Sequence, residues 1–133
     1  MHEMALRVYY EDTDFGGVVY YANYLKFIER GRTEAIRALG IDQRALKADH
    51  GLVFVVRRIE ADYLSPARFD DVLTVRTDLT GLGGARVTMA QQVLRDKTVL
   101  FEAVVVLAVL DDTGRPRRLP AGIHAALAED GMA

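Results

Sequence analysis

At 133 residues, half of them hydrophobic and 27% charged, the chain is long enough for one domain burying about two-thirds of its unfolded surface, spanning 1–133 without a second. A net charge of -2, with Arg115-Pro116-Arg117-Arg118 as the one basic cluster, excludes a general electrostatic attraction to nucleic acid. The absence of cysteine excludes disulfides, thiolate metal ligands and a cysteine nucleophile.

No basic stretch followed by an apolar run opens the sequence, so no leader is expected. The apolar run Val99 to Leu110, broken by Glu102, is far shorter than the ~20 residues of a membrane helix. The expected protein is cytoplasmic with no membrane span.

Leu6 to Tyr10 is rich in β-branched and aromatic residues and reads as the first strand. It enters the acidic turn Glu11-Asp12-Thr13-Asp14-Phe15-Gly16-Gly17, where paired glycines permit positive φ and close approach of a ligand to the backbone. From Tyr21 to Leu39 the period becomes helical. Tyr21, Tyr24, Leu25, Ile28, Ala35, Ile36 and Leu39 form an apolar stripe, opposite Lys26, Glu29, Arg30, Glu34 and Arg37, and Gly40 is the expected stop. Gly31 in mid-helix costs ~1 kcal/mol relative to alanine, which points to close helix-sheet packing. Ile41 to Gly51 reads as a loop or a short helix centred on Arg44 to Ala48.

From Leu52 the period is two, with Val55, Ile59, Ala61 and Tyr63 on one side and Arg58, Glu60 and Asp62 on the other; Arg57 interrupts the alternation. Ser65-Pro66-Ala67 ends this strand and Asp70-Asp71 opens the next, in which Leu73, Val75 and Leu79 alternate with Thr74, Arg76 and Asp78. Gly81 to Gly84 marks a bend or bulge, Arg86 to Leu94 a fourth strand, Asp96-Lys97 a tight turn and Val99 to Leu110 a fifth strand. After the turn Asp111 to Gly114, Pro120 to Ala128 reads as a short terminal helix. The order is α+β, one long helix against about five strands. Covering both faces of the Val99 to Leu110 strand needs more than that helix, so self-association is expected.

The run Tyr9 to Tyr24 with Glu29-Arg30, followed by Phe54-Val55-Val56-Arg57, Tyr63, Ser65-Pro66-Ala67-Arg68 and Asp70-Asp71, resembles the hotdog-fold acyl-CoA thioesterases of the hydroxybenzoyl-CoA thioesterase type. Within them it is similar to the Tol-Pal-associated YbgC-like branch. The resemblance implies a curved antiparallel sheet wrapped around one helix, in dimers or tetramers whose active sites lie where subunits meet. It implies an acyl-CoA substrate, no cofactor beyond the CoA of that substrate, no metal, and a possible link to an acyl carrier protein or to Tol-Pal.

The acids alone leave two readings open. A carboxylate facing a helix N-terminus suits attack on a carbonyl, since the free N–H groups there stabilise a developing oxyanion. Aspartates in turns also bond nearby N–H groups, with no chemistry attached. The resemblance assigns Asp14 as the catalytic aspartate, nucleophile or general base, and leaves Asp12 as the organiser of the loop. It makes the Tyr21 backbone N–H the donor to the thioester oxygen, with the ring as an anchor on the apolar stripe. Many YbgC-like members carry histidine at this position; tyrosine supplies no imidazole proton donor.

Gly17, Val18, Tyr21 and Phe54 are the expected acyl-site residues, and Arg57, Arg58 and Arg86 the candidates for the CoA phosphates. The basic cluster of some relatives is replaced here by Gly83-Gly84-Ala85. Other chemistries fit poorly. A calcium loop starting at Asp12 would place Asn23 where a bidentate glutamate is needed. Gly81-x-Gly83 lacks the rest of a dinucleotide fingerprint, and Ser65 lies outside any nucleophile elbow. His2, His50 and His124 have no metal-ligand spacing. The alternative from another class is a non-catalytic hotdog module that binds an acyl chain or an acyl carrier protein, to which a carboxylate at the helix start would be of no use.

Overall fold

The computed structural model describes residues 1–131. In chain order it contains β1 (His2–Arg7), a single 3-10 turn (Tyr10–Asp12), α1 (Asn23–Ala38), α2 (Gln43–His50), β2 (Val53–Tyr63), β3 (Val72–Leu82), β4 (Arg86–Arg95), β5 (Thr98–Leu110) and α3 (Ala121–Gly131). The strands form one antiparallel sheet in the order β1-β3-β4-β5-β2. This is the expected α+β hotdog arrangement, with α1 against the sheet and two short helices beside it. No described helix is long and apolar enough to cross a membrane.

The first strand lies earlier than expected. Asp12 Oδ2 takes the Tyr9 N–H at 2.8 Å and closes the 3-10 turn, so Tyr9 and Tyr10 leave the sheet and β1 ends at Arg7. The long helix starts at Asn23, because Tyr21 and Ala22 form a turn closed by the Asn23 N–H on the Tyr20 carbonyl at 2.9 Å. The segment after Gly40 is a helix, for which Asp42 caps the N–H groups of Arg44 and Ala45. Gly51 ends it at φ 66°.

Tyr24, Phe27, Ile28, Gly31, Arg32, Ala35 and Ile36 are the buried residues of α1, and they pack into a core with Leu73, Val75, Val87, Val93, Phe101 and Val105. Tyr21 and Leu25, assigned to the apolar stripe, face outward at 61% and 39% exposure. Gly31 is where helix and sheet meet most closely: a Cβ there would stand 2.5 Å from Val75 Cγ1. Beside it lies a buried cation absent from the sequence reading. Arg32 Nη1 donates to Gln91 Oε1 at 3.0 Å, and Gln91 Nε2 donates to the Ile28 carbonyl and to Thr77 Oγ1, both at 2.9 Å.

β2 corrects a second expectation. Val56 faces Leu107 and Arg58 faces Val106 across β5, so Arg57 is looped out as a bulge. The alternation restarts there. Phe54 and Val56 share a face with Ile59, Ala61 and Tyr63, opposite the buried Val109, Leu107, Val105, Ala103 and Phe101, while Val55 joins Arg58, Glu60 and Asp62 on the outer face. On that face Val104 is 44% exposed. Both β1 and β2 are edge strands of the sheet.

Candidate active site

The acidic turn folds into a small closed loop between β1 and α1. Thr13 pairs with Val19 as an antiparallel bridge, and the Asp14 N–H donates to the Val18 carbonyl at 2.9 Å. The Asp14 carbonyl accepts the Gly17 N–H at 3.0 Å, a turn that requires the φ of 78° at Gly17. Asp14 is exposed, and its Oδ1 accepts the Gly16 N–H at 2.9 Å. Its second carboxylate oxygen has no hydrogen-bond partner among the described residues.

Asp12 does different work in the same loop. Beyond its carboxylate bond to Tyr9, its carbonyl accepts the Tyr20 N–H and the Asn23 side-chain amide, each at 2.9 Å. The two acids therefore separate: Asp12 fastens the loop to the start of α1 and Asp14 presents an open oxygen.

The Tyr21 amide is open as well. The Tyr20 carbonyl of the same peptide is taken by Asn23, whereas the Tyr21 N–H donates to no acceptor among the described residues. Tyr21 also lines an open cleft of about 220 Å³ with Val19, Tyr24, Tyr63, Leu64 and Pro66. Three tyrosines, Tyr21, Tyr24 and Tyr63, stand among its walls, with Ser65 the remaining lining residue. Tyr24 stacks on Phe101 at 5.0 Å between ring centroids, and burial pushes its hydroxyl pKa up.

The segment after β2, read from sequence as a strand break and as part of the family resemblance with no structural role assigned, buttresses the loop. The Val19 N–H donates to the Ala67 carbonyl at 2.8 Å, the Ala67 N–H donates to the Tyr24 hydroxyl at 3.1 Å, and Val18 bridges Arg68. Asp71 anchors this segment, accepting the Arg68 N–H and Arg95 Nη1, each at 2.8 Å. Partial burial works against its charge, but the Arg68 N–H and the Arg95 guanidinium prevail and hold its pKa below the usual carboxylate range.

The remaining expected residues lie elsewhere in the same chain. Gly17 and Val18 are in the Asp14 loop, but Phe54 stands nine residues along β2 from Tyr63, roughly 30 Å at the rise of a strand. Arg57 is the bulge, Arg58 pairs with Glu60, and Arg86 opens β4 opposite Ala108 at that same distant end. There the basic cluster noted in the sequence comes into place. The Leu119 N–H donates to the Gly84 carbonyl at 2.9 Å and the Arg118 guanidinium lies over Gly84, so a side chain at Gly84 would meet it. Within one chain, then, the Asp14 loop and the arginine set are separate.

The sequence profile of the thioesterase-like superfamily matches residues 8–127. The chain belongs to this superfamily. It is 43% identical to the acyl-CoA thioester hydrolase YbgC of Escherichia coli over 122 residues, covering 90% of each chain. To the acyl-CoA thioesterase YbgC of Haemophilus influenzae it is 42% identical over 124 residues, covering 90% of this chain and 91% of that one. The crystal structure of a probable thioesterase from Bartonella henselae superposes with a TM-score of 0.85 at 44% identity, over 90% of this chain and 98% of that one. The 4-hydroxybenzoyl CoA thioesterase shares the fold, with a TM-score of 0.89 at 20% identity over 95% and 97% of the two chains. The family and branch expected from Asp12-Thr13-Asp14 and Gly16-Gly17-Val18-Val19-Tyr20 are therefore the ones found.

Proposed function

We propose that the protein hydrolyses an acyl-CoA thioester to the carboxylic acid and free CoA, with Asp14 and the Tyr21 amide as the reacting pair. The observation that carries this reading is a pair of open groups, an exposed carboxylate oxygen and a peptide N–H without an acceptor, both in the short segment that leads into α1. Membership of the thioesterase-like superfamily gives the bond to be broken. The Tyr21 N–H polarises the thioester oxygen and stabilises the charge that develops on it. Asp14 either removes a proton from the attacking water or adds directly to the carbonyl carbon as an anhydride that water then opens. In both cases the C–S bond breaks and the departing thiolate takes a proton; on the general-base route the water oxygen enters the new acid directly, and on the anhydride route water opens the anhydride, releasing the acid and regenerating Asp14. No metal or redox cofactor enters the scheme.

The working unit in this reading is a pair of chains. β2 is a long, unpaired edge, which favours strand addition. A second copy laid antiparallel along it about Arg58, the strand's midpoint, brings its own Phe54 end beside the Tyr63 and Tyr21 of the first. That arrangement reunites the acyl site around Gly17, Val18 and Tyr21 with Phe54 and the arginines Arg57, Arg58 and Arg86, which suit the CoA phosphates. A cytoplasmic setting agrees with a chain that uses no cysteine.

The test is thiol release from a panel of short, long and aromatic acyl-CoAs by the wild type and by Asp14→Asn. Turnover of at least one ester by the wild type, with a loss of ~10²-fold or more in kcat for the variant, is the expected result. A folded wild type that hydrolyses none of them overturns the reading in favour of an acyl-binding module. Equal rates would show that another group carries the chemistry.

A further inference from the structure

Tyr63 has no role in the scheme above, yet its hydroxyl makes a contact that the scheme needs. It is the last residue of β2, and the bulge at Arg57 turns it to the helix side of the sheet, opposite Phe101. From there its hydroxyl donates to the Tyr21 carbonyl at 3.0 Å. The neighbouring carbonyls at the start of α1 are used otherwise, since the Asn23 N–H goes to the Tyr20 carbonyl and the Leu25 N–H to that of Ala22. The Tyr21 carbonyl is thus fastened across to the sheet, while the Tyr21 N–H stays open.

We propose that Tyr63 is a positioning residue for thioester hydrolysis, fixing the Tyr21 peptide so that its N–H keeps its aim at the substrate oxygen. The inference rests on the reading of Asp14 and Tyr21 given above. Two adjoining peptide planes meet at Tyr21. The first is held by Asn23 through the Tyr20 carbonyl, at 2.9 Å, and the second by Tyr63 through the Tyr21 carbonyl. Without the second anchor, rotation about the Tyr21 backbone bonds is restrained from one side only, and a misaimed donor forfeits the stabilisation that preorganisation provides.

The anchor ring, half-exposed, is braced by aromatic neighbours. The Tyr63 ring meets Tyr21 at 6.2 Å, Tyr24 at 5.5 Å and Phe101 at 5.0 Å between centroids, all edge to face. Partial burial raises the pKa of its hydroxyl above that of a free phenol, which already keeps its proton at neutral pH. That proton is committed to the Tyr21 carbonyl, so the hydroxyl acts through the peptide and not on the substrate.

Tyr63→Phe tests this, because it keeps the ring and its edge-to-face contacts and removes only the O–H. With an acyl-CoA that the wild type turns over, the variant is expected to lose ~10-fold in kcat with KM within about twofold of wild type, and to melt within a few degrees of it. The ¹⁵N order parameter of the Tyr21 amide supplies an independent readout, falling in the variant while the core of β4 and β5 is unchanged. An unaltered kcat overturns the proposal. So does a KM that rises in step with a falling kcat, which would mark direct substrate contact, or an alkaline limb in the kcat profile that disappears in the variant, which would make Tyr63 a proton donor. If the Tyr21 order parameter is the same in both proteins, the positioning role falls whatever the rates. A wild type inactive on every ester removes the thioesterase reading itself, a result distinct from an active wild type matched by its variant.

Discussion

Replacing Gly31 by alanine sets two opposing effects against each other at one atom. Alanine is the better helix former by ~1 kcal/mol, so a solvent-facing site would gain stability. At Gly31 the new methyl group would stand 2.5 Å from Val75 Cγ1, 3.1 Å from Thr77 Oγ1 and 3.2 Å from Gln91 Nε2. Val75 is fully buried and has no free space to swing into, so the contact is relieved only by separating α1 from β3. Overpacking of this kind costs ~1–3 kcal/mol, and a contact this short belongs at the upper end. Displacing Gln91 weakens its bonds to Ile28, Thr77 and Arg32 by a further ~1 kcal/mol.

Packing therefore outweighs propensity, and Gly31→Ala is expected to be less stable by ~2–3 kcal/mol. At an unfolding entropy of roughly 2.1 cal/mol/K per residue, a chain of this length loses ~7–11 °C in Tm. Circular-dichroism melts at matched protein concentration measure it, matched because association shifts apparent stability. The decisive control is Val75→Ala, which vacates the contested volume. On that background the glycine replacement should cost under ~1 kcal/mol or stabilise. A Gly31→Ala protein as stable as wild type, or an equal cost in both backgrounds, would refute the packing argument.

Two further outcomes can be checked. Gly17→Ala meets no steric neighbour, so its effect isolates the backbone: holding alanine at φ 78° costs ~1–2 kcal/mol, and the loop's relaxation should lower kcat of thioester hydrolysis well before it affects global melting. Asp71, with its pKa depressed when folded, adds stability that is present above its unfolded value near pH 4 and is lost as pH falls through the lower folded value. Urea midpoints of wild type and Asp71→Asn, followed from pH 7 to pH 3, should therefore differ most near neutrality and converge in acid; a pH-independent difference would remove Asp71 as the cause.

The sheet was legible wherever period two ran unbroken. Leu73, Val75 and Leu79 are buried as their alternation predicted, and Gly81 sits at the register shift expected of that bend. The mistakes fall where a side chain competes with the backbone. At Tyr9 the Asp12 carboxylate removes an N–H from the ladder, which no propensity of Tyr9 or Tyr10 foretells. The Asp14 loop was legible through its glycines and acids, because Gly17 needs a backbone that other residues avoid. Tyr63, Ala67, Asp71 and Arg95 were not, since their importance arises from hydrogen bonds spanning 24 residues or more of chain. Arg32 escaped because a cation next to Glu29 and Arg30 reads as part of a wet face until Gln91 is seen to receive it.

The bulge at Arg57 acts as a reading frame for β2. Upstream of it even-numbered residues face the helix, and downstream odd-numbered ones do, so a single extra residue keeps Phe54 and Val56 in phase with Ile59, Ala61 and Tyr63. The phase of the strand depends on a residue being present at position 57, which is unpaired in the ladder, and not on which side chain it carries. Deleting it would send one half of the strand's apolar residues into solvent or pull the Tyr63 end out of register with Tyr21. Among descendants of this sequence, β2 should accordingly hardly ever change in length.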